Sequence, residues 1–86
     1  MALRVDPRLA WQLVGDEVVI LDVASGKARG LNPVASFIWA RLEKENPEGI
    51  CAALQREFEV DEATARRDVD AFVEELRTLG LLHELP

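Results

Sequence analysis

The chain has 86 residues, of which 49% are hydrophobic and 30% are charged, and its formal net charge is −6. This composition excludes a disordered chain, and no apolar run approaches the roughly 18 residues of a membrane-spanning helix. Residues 32–86 carry six basic and twelve acidic side chains, so electrostatics disfavour binding to a nucleic-acid backbone. The N-terminus also lacks the apolar segment of a signal peptide. We therefore expect one domain over residues 1–86, soluble and cytoplasmic, that binds neither membrane nor nucleic acid.

The first third of the chain has the pattern of short antiparallel strands. Gly15-Asp16 and Ala24-Ser25-Gly26 are turn sequences, and the β-branched apolar run between them is too short for an independent helix. The last strand is the weakest, because small residues are poor strand formers. We predict three strands, at about residues 10–14, 17–23 and 27–31.

Three helices follow, each with a capping residue before it. Gly80 is placed to end the last of them. The predicted starts are Asn32-Pro33, Asn46-Pro47 and Asp61, and the helices extend to about Leu42, Phe58 and Leu79. Their predicted inward faces are Val34, Ala35, Ile38, Trp39 and Leu42; then Ile50, Cys51, Leu54 and Phe58; then Ala65, Val69, Phe72, Leu76 and Leu79. The layout is α+β, a three-stranded antiparallel sheet followed by three helices, with the third helix placed as in winged helix-turn-helix domains.

The residue types that carry catalysis are scarce. Cys51, the only cysteine, lies on a predicted inward face, where a free thiol is commonly a small buried hydrophobe. The only histidine, His83, is expected on the surface of a mobile tail, and no serine has a histidine near it in sequence. No carboxylate spacing fits a calcium-binding loop. We therefore expect no enzyme, no metal site and no cofactor.

Several segments together have the spacing of one known family. They are Gly15–Asp22, Ser25–Lys27, Leu31–Val34, Ile38-Trp39, Leu54–Val60, Asp68–Leu76 and Gly80–Leu82. Over about residues 10–83 the chain resembles the PqqD-like family, which includes stand-alone recognition elements for ribosomally synthesised and post-translationally modified peptides (RiPPs). It departs from the family in the third strand, where Ala28-Arg29-Gly30 stands in place of frequent aromatic residues.

The resemblance implies a non-catalytic module that binds the leader segment of a precursor peptide. In such domains the leader adds as a further antiparallel strand to the third strand and packs on the last helix. A separate modifying enzyme or protease would then receive the peptide. The arginines among the candidates would bind acidic leader residues, and Val73 would supply an apolar floor. The candidates are Lys27, Ala28, Arg29, Gly30 and Leu31 on the strand and Arg66, Val69, Asp70, Val73 and Arg77 on the helix.

Other interpretations of the same residues remain open. Val73 adjoins the core stripe, the arginines of the third helix can pair with acidic neighbours along it, and Lys27 and Arg29 can protect an edge strand from aggregation. A winged-helix DNA-binding protein would share the layout, but residues 61–79 carry three basic and six acidic side chains, which argues against it. An adaptor that docks on an enzyme through its acidic helices is the other alternative. An open edge strand also allows pairing with a second copy as a homodimer.

Overall fold

A computed structural model describes residues 2–85 and contains five strands and three helices. In chain order they are β1 (Ala2–Val5), β2 (Leu9–Val14), β3 (Glu17–Asp22), β4 (Lys27–Gly30), α1 (Pro33–Trp39), α2 (Pro47–Phe58), α3 (Glu62–Thr78) and β5 (Leu82–Leu85). The three strands and three helices predicted from the sequence are confirmed, whereas β1 and β5 were not predicted.

The main sheet is antiparallel and has the order β2-β3-β4. A two-residue turn joins β2 to β3, and its first residue, Gly15, has φ 65°, a conformation that side-chain-bearing residues rarely adopt. The turn fixes the register so that Val14 lies opposite Glu17. Because β3 is the central strand, β2 and β4 are both edges of this sheet.

The predicted caps form at all three helices. Asn32, Asn46 and Asp61 accept hydrogen bonds from backbone N–H groups three residues later, at 2.8, 2.8 and 2.7 Å. At the other end of α3, the N–H of Gly80 donates to Arg77 and that of Leu81 to Leu76, the two bonds of a Schellman motif. These local signals explain why the helix boundaries could be predicted closely.

Helix α1 is shorter than predicted, since it ends at Trp39 rather than near Leu42. After it the chain continues in tighter turns, in which the N–H of Arg41 donates to Ile38 and that of Leu42 to Trp39. The tighter turns still direct Leu42 inward, and its side chain is buried. The predicted core position is therefore correct although the predicted helix end is wrong.

Buried side chains of β3 and the three helices form one core beneath the sheet. In α3 the buried stripe includes Val73, whereas the predicted core residue Phe72 is half-buried and Leu79 is 43% exposed. The buried residues of α3 are spaced by four, four and three positions, which keeps them on one face of the helix. They are Ala65, Val69, Val73 and Leu76. Phe72 and Leu79 lie toward a flank of that face. The core includes Val18, Ile20, Leu31, Ile38, Trp39, Leu42, Ile50, Cys51, Leu54, Ala65, Val69, Val73 and Leu76.

Strands β1 and β5 pair with each other as a separate antiparallel ribbon, with Val5 opposite Leu82 and Arg4 opposite His83. Leu3, Val5 and Leu82 are buried in the core. The prediction that His83 lies in a mobile tail is therefore wrong. Each strand has only four residues, and their pairing joins opposite ends of the sequence, so no local pattern indicated it.

Asp6 holds the end of this ribbon in place. Its nearly buried carboxylate accepts hydrogen bonds from the backbone N–H and the guanidinium of Arg8 and lies 2.9 Å from Nε2 of His83. The backbone N–H of Asp6 donates to the carbonyl of Leu81 at 2.9 Å. The hydrogen bonds from Arg8 and then from His83 hold the pKa of Asp6 well below its usual value.

Candidate functional site

A cleft of about 500 Å³ lies between β4, the start of α1 and one flank of α3. We call it the β4–α3 groove. Its floor is apolar and is built mainly by Leu31, Ile38 and Leu76, which are buried. The residues that line it are Arg29, Gly30, Leu31, Asn32, Val34, Ala35, Ile38, Asp68, Ala71, Phe72, Glu75, Leu76 and Leu79.

Strand β4 presents free backbone groups along the groove. In an antiparallel sheet the residues of one strand bond alternately to the two sides. The N–H of Leu31 donates to Val18 at 2.9 Å, so the residues two and four before it, Arg29 and Lys27, also face β3 with their backbone groups. The N–H and C=O groups of Ala28 and Gly30 therefore point away from the sheet. A Cβ atom at Gly30 would have no neighbour within 4 Å, so the outer face of the sheet is open at this position.

The side walls of the groove carry opposite charges. The side chain of Arg29 lies on the same sheet face as the buried Ile20, which is opposite it in the register, and it lines the groove from β4. Asp68 and Glu75 line it from α3, two helical turns apart. Between them Phe72 presents a half-buried ring. An apolar floor with cationic and anionic walls suits an amphipathic guest.

Of the predicted strand residues 27–31, Arg29, Gly30 and Leu31 line the groove, whereas the predicted helix residues lie outside it. Val69 and Val73 are buried, at 0% and 8% exposure. Arg66 pairs with Glu62 at 3.9 Å, and Arg77 pairs with Glu74 at 3.7 Å. None of the five predicted helix residues, Arg66, Val69, Asp70, Val73 and Arg77, is among those that line the groove.

The predicted helix residues and the groove-lining residues of α3 lie on different flanks of the helix. An α-helix turns by about 100° per residue. On this basis the centre of the groove-lining set lies roughly 150° around the helix axis from the centre of the predicted set. The groove-lining set is Asp68, Phe72, Glu75 and Leu79. The predicted flank lies beside the terminal ribbon, where Asp70, Val73 and Arg77 surround a smaller pocket with Leu3 and Pro47. Arg77 also pairs with Glu84 of β5.

The sequence contains a signal for the flank of α3 that lines the groove. Phe72 and Leu79 are large apolar residues seven positions apart, and Asp68 and Glu75 have the same spacing one turn earlier. A stripe of apolar and acidic residues side by side is typical of a surface half open to solvent. The same apolar character also fits the core assignment predicted for Phe72 and Leu79, and only their partial exposure distinguishes the two roles.

Within residues 2–85, no cluster of three His, Cys, Asp or Glu side chains is arranged to hold a metal ion. In the same range no helix is both long enough and apolar enough to cross a membrane. Burial raises the pKa of the Cys51 thiol, which keeps it protonated and weakly nucleophilic.

Comparisons with known proteins agree with this geometry. Residues 17–82 match the family model described as coenzyme PQQ synthesis protein D (PqqD). A solved structure of TbiB1 in complex with the TbiA(beta) leader peptide is 33% identical, with a TM-score of 0.85 over 96% of this chain and 98% of that one. A lasso peptide synthetase B1 complexed with the leader peptide is 29% identical, with a TM-score of 0.87 over 98% of this chain and 100% of that one. No curated protein matches the sequence. Since the family model covers most of its length, the chain belongs to the PqqD family.

Proposed function

We propose that the protein binds the leader segment of a ribosomally synthesised precursor peptide in the β4–α3 groove. The observation that carries this proposal is the unpaired β4 edge directly beside an apolar cleft. Two proteins with the same fold over nearly their whole length were solved with leader peptides bound, which supports the same class of ligand here.

The leader binds as a fourth strand of the main sheet, antiparallel to β4. The N–H and C=O groups of Ala28 and Gly30 bond to alternate residues of the leader, which sets its register. The small side chains at these two positions lie on the outer face of the sheet with Leu21 and Val19, so they do not obstruct the guest. Every second leader side chain then enters the groove.

The groove selects those inward side chains by size and charge. Phe72, Leu79 and the floor accept apolar groups, and Arg29 offers a charge-assisted hydrogen bond to a leader carboxylate. Asp68 and Glu75 on the opposite wall accept a basic side chain. The helical wall of the predicted site is thus replaced by the flank that faces the groove.

The protein itself performs no chemistry on the peptide and delivers it to a separate modifying enzyme or protease. The sparse set of reactive side chains supports this role, because Cys51 is buried with a raised pKa and His83 is engaged with Asp6. Binding a leader away from the residues to be modified leaves the rest of the precursor free for the enzyme.

The two edges of the sheet provide a matched test. In Ala28→Pro the proline removes one N–H that the leader needs, and in Leu13→Pro it removes an outward N–H of the opposite edge, β2. With a labelled leader peptide of its precursor, fluorescence anisotropy should show affinity lowered at least tenfold by Ala28→Pro. Leu13→Pro should leave the affinity unchanged. Circular dichroism checks that both variants remain folded.

A second measurement uses the peptide instead of the protein. N-methylation of successive leader residues should weaken binding with a period of two, because alternate N–H groups face β4. Loss of affinity that follows no period, or equal effects of the two proline variants, would refute strand addition. Tight binding to a DNA duplex but not to the leader would favour the winged-helix DNA-binding alternative.

A further inference from the structure

The second edge of the main sheet, β2, is longer than β4 and carries no charge. Its sequence from Leu9 to Val14 has no Lys, Arg, Asp or Glu, whereas β4 has Lys27 and Arg29. Trp11, Leu13 and Val14 are 43%, 54% and 59% exposed. Natural edge strands are usually protected by charge, proline or a covering element, so an uncharged apolar edge of six residues indicates an interaction surface.

The backbone of β2 is free on its outer side. Leu13 lies opposite Val18, whose N–H donates to Oγ of Ser36 and whose carbonyl accepts from Leu31. Both groups of Val18 are thus turned away from β2, and Leu13 directs its own N–H and C=O outward. Trp11, two residues earlier, has the same orientation. These two residues offer four backbone groups to another strand.

We propose that β2 pairs antiparallel with β2 of a second copy of this chain. Trp11 and Leu13 of both copies use their free backbone groups only if Trp11 of one copy lies opposite Leu13 of the other. The twofold axis then passes between Gln12 of one copy and Gln12 of the other. The exposed ring of Trp11 then packs on the exposed side chain of Leu13 from the other copy.

Charge at the ends of β2 favours a second copy as the occupant. In this register the end of β2 that follows Arg8 meets the β2–β3 turn of the other chain, which carries Asp16, and this meeting of ends occurs twice because of the symmetry. The side chain of Arg8 is 73% exposed beside Asp6, so its outer side is accessible. The strand between these ends is uncharged, which leaves no like charges facing each other across the pair. The edge is therefore complementary to itself in both apolar pairing and charge.

The resulting dimer has one continuous six-stranded sheet with a β4 edge at each end. Both β4–α3 grooves remain open, so this inference is independent of the proposed leader binding. The dimer would present two grooves on opposite ends of one rigid sheet.

A disulfide across the twofold axis tests the register. Gln12→Cys places two thiols in a pair whose Cα atoms are about 4.5 Å apart, within the range for a disulfide. Ala10→Cys is the matched control on the same sheet face, because its Cα atoms are about 13 Å apart in this register. Under mild oxidation of the full chain, Gln12→Cys should form a covalent dimer and Ala10→Cys should remain monomeric. Cys51 is 3% exposed and should not react in either.

Sedimentation equilibrium supplies the second test and needs no cysteine. Leu13→Lys adds a charge to the β2 edge and should raise the dimer dissociation constant at least tenfold. Leu21→Lys, on the exposed face of the central strand, should change it little. A chain that is monomeric at millimolar concentration, equal cross-linking of the two cysteine variants, or dissociation by Leu21→Lys alone would overturn the proposal. A monomer whose binding to a maturation enzyme is lost in Leu13→Lys would also overturn it and assign the edge to that enzyme.

Discussion

The two flanks of α3 have opposite surroundings, although they belong to the same helix. One flank, with Phe72 and Glu75, faces the β4–α3 groove. The other, with Val73 and Arg77, packs beside β1 and β5. The comparison shows that adjacent residues of one amphipathic helix can line an open groove or pack in the core, depending on which flank another element covers.

The largest expected contrast is between the neighbours Phe72 and Val73. Phe72→Ala removes an aromatic surface from the groove and should lower leader affinity tenfold or more, as is typical of an aromatic anchor. Val73→Ala should cost about 2 kcal/mol of unfolding free energy through a core cavity and leave leader affinity unchanged. Isothermal titration calorimetry and urea unfolding on both variants measure the two effects. If Val73→Ala weakened binding by the larger factor while folded, the assignment of the flanks would be reversed.

Charge reversal of one arginine in the groove and one outside it gives a second comparison of the two regions. Arg29→Glu should lower the affinity for a leader with a carboxylate in the groove about tenfold, because an ion pair becomes a repulsion. Arg66→Glu, on the other flank of α3, should change the affinity less than twofold. The difference should shrink as salt is raised. Equal effects of the two reversals would mean that long-range charge, and not the groove, attracts the leader.

The β1–β5 ribbon covers one flank of α3, and Asp6 bonds its end through Arg8 and His83. We therefore expect the stability of the folded protein to depend on pH. The pKa of Asp6 is lowered in the folded protein, so its hydrogen bonds stabilise the fold at neutral pH and are lost as the pH falls through that lowered pKa. Asp6→Asn should lower the melting temperature by several degrees at pH 7, and the gap to the wild type should narrow below about pH 4. Thermal unfolding followed by circular dichroism across this range measures the gap. A gap that stayed constant with pH would show that the ribbon does not depend on the carboxylate charge.

The smallest effect is expected at Arg77, which the sequence had placed in the binding site. Arg77→Ala breaks exposed ion pairs to Glu74 and Glu84 and should cost less than about 1 kcal/mol. Leader affinity should remain at the wild-type value, since Arg77 lies away from the groove. Urea unfolding measures the change in unfolding free energy, and a titration of the variant with the leader peptide measures its affinity. A clear loss of leader affinity in Arg77→Ala would instead support the binding site predicted from the sequence, on the Arg77 flank of α3.

The helix starts could be predicted from local sequence, whereas the end of α1, the partly exposed positions of Phe72 and Leu79, and the terminal ribbon could not. Asn32, Asn46 and Asp61 each bond to a backbone group three residues away, so the sequence around them is enough to locate the helix starts. The position of β4 at the edge of the sheet was likewise accessible from the strand order. The pairing of Val5 with Leu82 spans most of the chain and has no local pattern. The sequence alone does not show that this ribbon covers the arginine-rich flank of α3, so it does not distinguish the two flanks.

The terminal ribbon also has a consequence for protein engineering. It places Ala2 opposite Leu85, on the flank of α3 away from the groove. A short linker from Leu85 to Ala2 would therefore permit a circular permutation of this domain, with new ends opened in the Val23–Gly26 turn. The new N-terminus would begin at the groove edge, where a leader sequence could be tethered genetically to its own receptor.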